Sequence, residues 1–569
     1  MRRILPVLAQ IVLLCLISGS CKFIKATSLK DNLTEDSTQN PEHTTETGQP
    51  ANYYVSNDGD DDNSGLSPKE AWRSIAKVNK AVLAPGTTVF FKRGDEWRET
   101  LIVEEEGTSD SYVSFSAYGT GAKPIINGAD FVVGWVKKPK KIWTADCPKV
   151  PDYFGLPYDY IVIANGRLYE RVGGLDELDN DGEFFLENNP GRDRISIYSE
   201  IAPDSLKTEV SARMFGICVA DKAYISLKNF DLRNCAHSGA FFMSTSKKAG
   251  FDGNCIIDSC DFYRNRITGI IFDNGYSNNT VRNCISTYNG NGFYCSSDQK
   301  WGSDRNVFIK CYSGNNINHT KGLYSDGHGF GIWNSDDNII EYCESFNDKY
   351  GIVIDPNNRD NDIIIRYNYI HNTQKRSPGI NVGGNTPEGT LHQVYYNLIV
   401  NTGAGEDGYA IWVYGRLRKG EVHICNNTIF QDGNTTHSAF GIMATAGNDL
   451  TLKNNIVFSE GKYPFAVLYL GSGLSETHIS NNVYYTPNCD REIFFLTGMI
   501  SADIVEWQKL TNSEVNSRKT DPLFVKKGSD YSLRENSPCI NAGAHLEYRM
   551  DILGNPIVDS PDIGCFEKQ

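Results

Sequence analysis

A marker recurs through the middle of this chain at Cys235, Cys260, Cys284, Cys311, Cys343, Asn368, Asn397, Asn427, Asn455 and Asn482, with spacings of 25, 24, 27, 32, 25, 29, 30, 28 and 27 residues. Strand-forming residues stand just before most markers, as in VRNC, FIKC, IIEYC and ISNN. A near-constant period of this length describes a unit that buries its apolar side only by stacking on copies of itself, so the chain is expected to form a solenoid and not a globular domain. With β-formers in each unit, every repeat reads as one coil of a parallel β-helix.

A second column follows the first in most coils: Gly239, Gly269, Gly292, Gly329, Gly351, Gly379 and Gly441, completed by Ala410 and Ala466. Each opens a short strand, and strand side chains alternate between faces, so positions one and three after the column share one face. Those positions hold Ile270 and Phe272, Phe293 and Cys295, Phe330 and Ile332, Ile352 and Ile354, Ile380 and Val382, Ile411 and Val413, which mark the core. Positions two and four face out and carry Asp273, Tyr294, Trp333, Asp355, Asn381, Trp412 and Tyr414. Coils stack about 4.8 Å apart. The outer face of this sheet is therefore expected to be a lane of aromatic rings and carboxylates suited to sugar rings.

Charge narrows the function classes. The net charge is −15, with no basic excess to neutralise phosphates, which argues against nucleic-acid partners. Local basic residues (Lys247, Lys248, Arg359, Lys375, Arg376, Arg416, Arg418 and Lys419) still fall near the loops beside the lane, so an acidic glycan stays open as a partner. Of the 15 cysteines, the column members are expected to act as small apolar core residues, and no pair has CxxC metal spacing.

The N-terminus begins with Arg2 and Arg3, continues through an apolar run from Ile4 to Ile17, and reaches Ser18-Gly19-Ser20-Cys21. This order resembles a bacterial lipoprotein signal with lipidation of Cys21; Ser18 stands where that motif usually has Leu, and an ordinary secretory signal is the alternative. Residues 22–50 are polar and read as a tether. The expected location is the bacterial envelope, lipid-anchored to the outer membrane on its periplasmic or outer side. The anchor would be the sole membrane contact, and a monomer is expected.

The remaining divisions are 51–126 for an N-terminal cap and first coils, 127–215 for a β-rich insertion and coils, 216–496 for the parallel β-helix repeats, and 497–569 for a C-terminal cap. In the first, Ser67 is expected to cap an amphipathic helix with Pro68 in its first turn and Ala71, Ile75, Val78 and Val82 on its apolar stripe, plugging the open end of the solenoid. Asp58, Asp60 and Asp62 mimic the start of a calcium loop, but Lys69 stands at its twelfth position. SADIVEWQKL (501–510) reads as a second short helix, and the tail through Phe566 is expected to close the C-terminal end.

The segments YYVSNDGDDDNSGLSPKEAWRSIAKVN, PGTTVFFKRGDEWRETL, AYGTGAKPIING, DYSLRENSPCINAGA and DIGCFE resemble the pectate-lyase-like right-handed β-helix proteins of carbohydrate-degrading bacteria. The resemblance implies an all-β, single-stranded right-handed parallel β-helix with an N-terminal capping helix and a C-terminal cap. It also implies an envelope protein acting on polysaccharide as a glycoside hydrolase, a lyase or, less often, an epimerase.

The longest excursion between the two columns runs from Cys311 to Gly329 and carries His319, Lys321, Tyr324, Asp326 and His328. Solenoid insertions gather on the functional face, so the candidate site is this loop with the lane beside it. Asp355 amid aromatics suits a general acid. Asp326 would be its partner carboxylate, with His328 orienting or shuttling a proton. Asp273 lies three coils from Asp355, about 14 Å, beyond the about 5 to 9.5 Å of a glycosidase pair. Substrate contacts are assigned to Trp333, Trp412, Tyr414, Tyr294, Asn381, Arg416, Lys321 and Arg359. Hydrolysis needs no cofactor; a lyase would instead use Lys321, His328, Arg359 or Arg416 and bring in calcium on Asp336, Asp337 and Asp360. A carbohydrate-binding module that kept the scaffold without the chemistry is the further alternative.

Overall fold

The computed structural model describes residues 49–569 apart from 152–153, 157, 190–191, 246–250, 298–300, 318–325, 356–361, 384–387, 404–407, 415–419, 433–439, 447, 462–465, 475–476, 490–492, 497–498, 502 and 559. Thr47–Pro151 and Tyr158–Gln569 form one compact unit. Its frame is three sheets of 13 strands each, in which successive coils pair in parallel. One coil runs Ile256–Asp258 in the first sheet, Asp261–Tyr263 in the second and Thr268–Asp273 in the third, after which Thr280–Arg282 re-enters the first.

Local sterics explain the corners. All three corners of that coil open on a residue in the left-handed region, where Asn is tolerated better than most side chains: Asn274 (φ 52) at the third and, at the first two, Ser259 (φ 56) and Arg264 (φ 54). The next residue points inward. At the first corner Cys260 N–H donates to Cys284 Sγ at 3.4 Å and Cys311 N–H to Cys343 Sγ at 3.4 Å. The ladder then changes chemistry: Cys343, Asn368, Asn397, Asn427 and Asn455 each donate a backbone N–H to the Asn Oδ1 of the next coil at 2.9–3.1 Å. Each Asn also returns its amide N–H to a carbonyl of the preceding coil, as Asn427 does to Val394 O at 2.9 Å, so these buried backbone groups are satisfied coil after coil. All 13 cysteines among the described residues are buried and unpaired in disulfides.

Cys235 does not belong to this ladder. The second sheet's Asp261 N–H bonds to Phe230 O, which makes Phe230 the counterpart of Cys260. Cys235 heads the second corner instead, where its N–H donates to Asn265 Oδ1 at 3.1 Å. From there Asn265, Asn289 and Asn316 donate in turn to Asn289, Asn316 and Asp348 at 2.7–2.8 Å.

The glycine column has a packing cause. A Cβ at Gly239, Gly269 or Gly329 would stand 2.7–2.8 Å from the carbonyl oxygen of the column glycine in the next coil. At these three positions only a bare backbone fits that approach. At the far end Phe440 pairs with Ala466, so Ala466 stands one residue ahead of the column.

The N-terminal helix is shorter than expected. A 3-10 turn spans Pro68–Glu70 without a side-chain cap from Ser67, and the α-helix is Ile75–Val78, capped by Ser74 Oγ. Ala71 is extended and Trp72 bridges to Val55, which stops any helix from running through; Val82 is exposed. Trp72, Ile75 and Val78 nevertheless join the first core cluster with Val55, Trp97 and Leu101, covering the open end. Asp58 pairs with Lys92 and Asp61 holds the Arg73 and Ser74 backbone, so these acids are engaged in the cap itself.

Between the first coils and Phe215 the chain leaves the solenoid. Ala129–Phe131, Val162–Ala164, Arg167–Leu168 and Glu209–Ser211 make a four-stranded sheet, and Ile142–Cys147, Glu183–Glu187 and Asp193–Tyr198 form the centre of a five-stranded one. A buried ion pair, Asp159 with Arg266 at 2.8 Å, ties this excursion to the coils.

At the other end, helix Ile504–Thr511 starts at Asp503, whose carboxylate caps Val505 and Glu506, and its buried Trp507 stacks on Phe494. Just beyond it, Val515 bridges to Ser480 and Arg518–Lys519 pairs with Val483 and Tyr484 of the last coil, before the tail leaves that end. It runs back alongside the solenoid, where Tyr531, Leu533, Cys539, Ile563 and Cys565 pack with Tyr395, Tyr396, Phe430 and Phe458 in a second cluster. Asn454 and Asn481, whose side chains point outward from their corners, hold the backbone of Ala544 and Ala542. The outward rings of those coils are apolar surface that the tail removes from water.

Candidate active site

The site is built on five consecutive strands of the third sheet: Asn291–Ser296, His328–Trp333, Tyr350–Asp355, Ile380–Val382 and Tyr409–Val413. Alternation holds on every one. Phe293, Cys295, Phe330, Ile332, Ile352, Ile354, Ile380, Val382, Ile411 and Val413 are at most 2% exposed and line the core. The outward residues stack in rows set by register. One row is Tyr294, Gly331, Val353, Asn381 and Trp412; in the next, Trp333 is paired with Asp355.

The sequence reading missed a third outward row, immediately before the glycine column, because the close approach at the glycine breaks the two-residue alternation. It contains Asn291, His328, Tyr350 and Tyr409. His328 pairs with Tyr350, their rings 5.5 Å apart and edge to face, and Asn291 Oδ1 accepts the N–H groups of Gly327 and His328 at 3.0 Å. Tyr409 stacks on Trp412 at 5.2 Å, and Trp412 meets Tyr414 at 4.8 Å, so one strand presents a wall of three rings. The preceding-residue position was readable in outline, since it repeats with the glycines.

Two tyrosines near Asp355, one from an earlier coil and one from a later, each lie over a bare glycine. A Cβ on Gly331 would overlap the Tyr294 ring, and one on Gly383 would overlap the ring of Tyr414. The Tyr414 ring lies over Gly383, on the rung beside Asp355, which puts its hydroxyl within reach of that carboxyl. Burial pushes the Asp355 carboxyl up to about 6, the Tyr414 donor works against that, and the charge of Asp326 adds to it. Tyr294 sits within the field of Asp326, Asp355 and Asp273, and burial first, then those charges, pushes its phenol well above the usual range.

Asp326 is 57% exposed at the mouth, with one oxygen 3.9 Å from His328 Nε2, beyond hydrogen-bond length. His328 itself is 5% exposed, and burial pushes its imidazole down to about 4, so it is neutral near pH 7. Its Nδ1 has no hydrogen-bond partner among the described residues. The ring fills the space between Tyr294, at 6.0 Å, and Tyr350, with Lys349 over Tyr350 at 5.1 Å. In this geometry His328 is a neutral wall with one edge toward Asp326, not a group already relaying a proton.

The structure therefore brings together Asp355, Asp326, His328, Tyr294, Trp333, Asn381, Trp412 and Tyr414. Asn381 is 7% exposed, and its Oδ1 and the Trp412 indole nitrogen are buried without partners among the described residues. Lys321, Arg359, Arg416 and Cys21 lie outside the described residues, as does Asp360 of the calcium set. Asp336 and Asp337 occupy the turn between His328–Trp333 and Ile339–Glu341, and no cluster of three or more metal-ligating side chains occurs among the described residues.

Residues 215–395 match the family model of the right handed beta helix region. The chain folds as a right-handed parallel β-helix. Among solved structures, a complex of XylC with xylose shares the fold at a TM-score of 0.53 and 13% identity, covering 91% of this β-helix chain and 98% of the other. A lacto-N-biosidase from Eubacterium ramulus gives a TM-score of 0.42 at 16% identity, over 77% of this chain and 68% of that one. Among curated proteins, a lacto-N-biosidase from Bifidobacterium longum subsp. longum is 36% identical over 99 residues, a match that spans 16% of this chain and 6% of that protein.

Proposed function

We propose that the groove on the third sheet is the active site of a glycoside hydrolase acting on an oligosaccharide or polysaccharide. The observation that carries this reading is Asp355: a carboxyl whose proton is held to about pH 6, beside the more exposed Asp326 in an aromatic-walled groove. Glycoside hydrolysis needs such a difference between two carboxyls. Asp355 donates its proton to the glycosidic oxygen as the bond from the anomeric carbon breaks. Asp326, as carboxylate, either takes the proton of the attacking water or bonds to the anomeric carbon until water displaces it. Tyr294, Trp333 and the Tyr409–Trp412–Tyr414 wall hold the rings on either side.

The names borne by the relatives support a carbohydrate substrate and suggest where to begin. The test is a panel containing xylans, substrates of lacto-N-biosidases, other neutral glycans and uronic-acid polymers, with reducing-end release and ultraviolet absorbance of unsaturated products read in parallel. New saturated reducing ends that vanish in Asp355→Asn support the reading. Unsaturated ends would replace it with a lyase, and Trp412-dependent binding without cleavage would replace it with a binding module.

Lipid anchoring through Cys21, at the outer membrane and facing the periplasm or the outside, is part of the same proposal. The order of charged start, apolar run and small residues before Cys21 supports it.

A further inference from the structure

Tyr414 follows the Tyr409–Val413 strand and continues its ladder: its N–H donates to Val382 O at 3.0 Å, while Gly383 N–H donates to Ile354 O at 2.8 Å. Asp355, Gly383 and Tyr414 thus stand on successive rungs of one row. A Cβ on the middle rung would collide with Cε1, Cζ and the hydroxyl oxygen of Tyr414, so the outer half of the ring lies flat over Gly383 with its hydroxyl beside the neighbouring rung. Trp412 backs the ring at 4.8 Å and limits its swing. An aromatic that served only to stack on sugar would not need the bare rung.

From this placement we infer that Tyr414 is a positioning residue for Asp355, held at its carboxyl by the absence of a side chain at Gly383, and that donating a hydrogen bond to that carboxyl is its main role. The inference rests on the reading of Asp355 as the acid of the proposed hydrolase. The other groups facing Asp355 are known from the site: Asp326 across the mouth, and Tyr294 over Gly331, itself facing Asp273. His328, which feels the charges of Asp326 and Lys349, borders Tyr294. The Tyr414 donor opposes both burial and the charge of Asp326. Without it the two remaining influences push the same way, and Asp355 keeps its proton to higher pH.

A general acid works protonated, so activity falls as pH rises through its pKa. Tyr414→Phe keeps the ring and removes the donor; it should move the basic limb of kcat/KM upward by about 0.5 to 1 pH unit, the worth of one donor among the two or three that can take a carboxylate below 2. Gly383→Ala, which keeps the hydroxyl but evicts the ring, should shift the limb in the same direction, and the double variant should go no further than either alone. The same shift is read without substrate by 13C NMR of aspartate-labelled protein, with the Asp355 signal assigned by its loss in Asp355→Asn. An unchanged Asp355 titration in Tyr414→Phe, or a shift in Tyr414→Phe that Gly383→Ala does not reproduce, overturns the inference. Since the NMR titration needs no turnover, a shift in a protein that cleaves nothing would sink the hydrolase reading and leave this one standing; Asp355-dependent cleavage with an unmoved titration would do the reverse.

Discussion

Asp348 ends the second-corner ladder, and its replacement by Asn gives the clearest energetic test of how the coils are held together. Its Oδ1 accepts the backbone and side-chain N–H groups of Asn316 at 2.8 and 2.9 Å, and its Oδ2 accepts the Ser345 hydroxyl at 2.7 Å. The side chain is fully buried, and burial pushes its carboxyl up to about 7 in spite of these donors. A carboxyl raised on folding binds more protons in the native than in the unfolded state, so its contribution is most favourable near pH 4 and is lost as pH rises toward 7. With an unfolded value near 3.9, the difference of about 3 units at 1.36 kcal/mol each amounts to about 4 kcal/mol between pH 4 and pH 8. Asn keeps the acceptor toward Asn316, and its amide can donate to Ser345, while nothing titrates. Equilibrium urea unfolding of wild type and Asp348→Asn at both pH values should show the variant gaining about 4 kcal/mol relative to wild type on going from pH 4 to pH 8. All other ionisable groups cancel in that difference. A difference that stays flat with pH would refute the claim that Asp348 is a neutral rung of the ladder.

Three further outcomes are expected. Ile354→Asp places an unpaired charge at a core position that is 1% exposed and should cost about 3 kcal/mol or more by the same urea assay; unchanged stability would overturn the inward register. Trp412→Ala removes the middle ring of the Tyr409–Trp412–Tyr414 wall and should weaken glycan binding by about 1 to 2 kcal/mol in affinity electrophoresis, with turnover at saturating substrate retained. Cys21→Ala should shift the protein from the membrane pellet to a soluble or unprocessed form, and equal pelleting would count against the lipid anchor.

Period and alternation were legible in the sequence because every coil must repeat the same inward residues to stack. The corner assignments were legible only in part. Asn234-Cys235 and Ser259-Cys260 have the same form, a left-handed residue followed by an inward cysteine, yet one pair sits at the second corner and the other at the first. Sequence spacing does not separate corners only a few residues apart. The row containing Tyr350 and Tyr409 escaped because alternation cannot be counted through the glycine approach. Tyr414 was visible as an outward aromatic, but its relation to Asp355 depends on the bare rung at Gly383, which is adjacent in space and distant in sequence. The tail's apolar residues were equally visible, while the surface they cover was decided by outward rings such as Tyr395, Phe430 and Phe458 on other coils.

Asp355 is proposed to supply the proton in a glycan-cleaving groove. On the substrate identified by the panel, kcat for Asp355→Asn should fall by a factor of about 10² to 10⁴, with KM and the unfolding midpoint close to wild type. A leaving group that departs without protonation should recover much of the loss. Full activity of Asp355→Asn on that substrate would contradict the account.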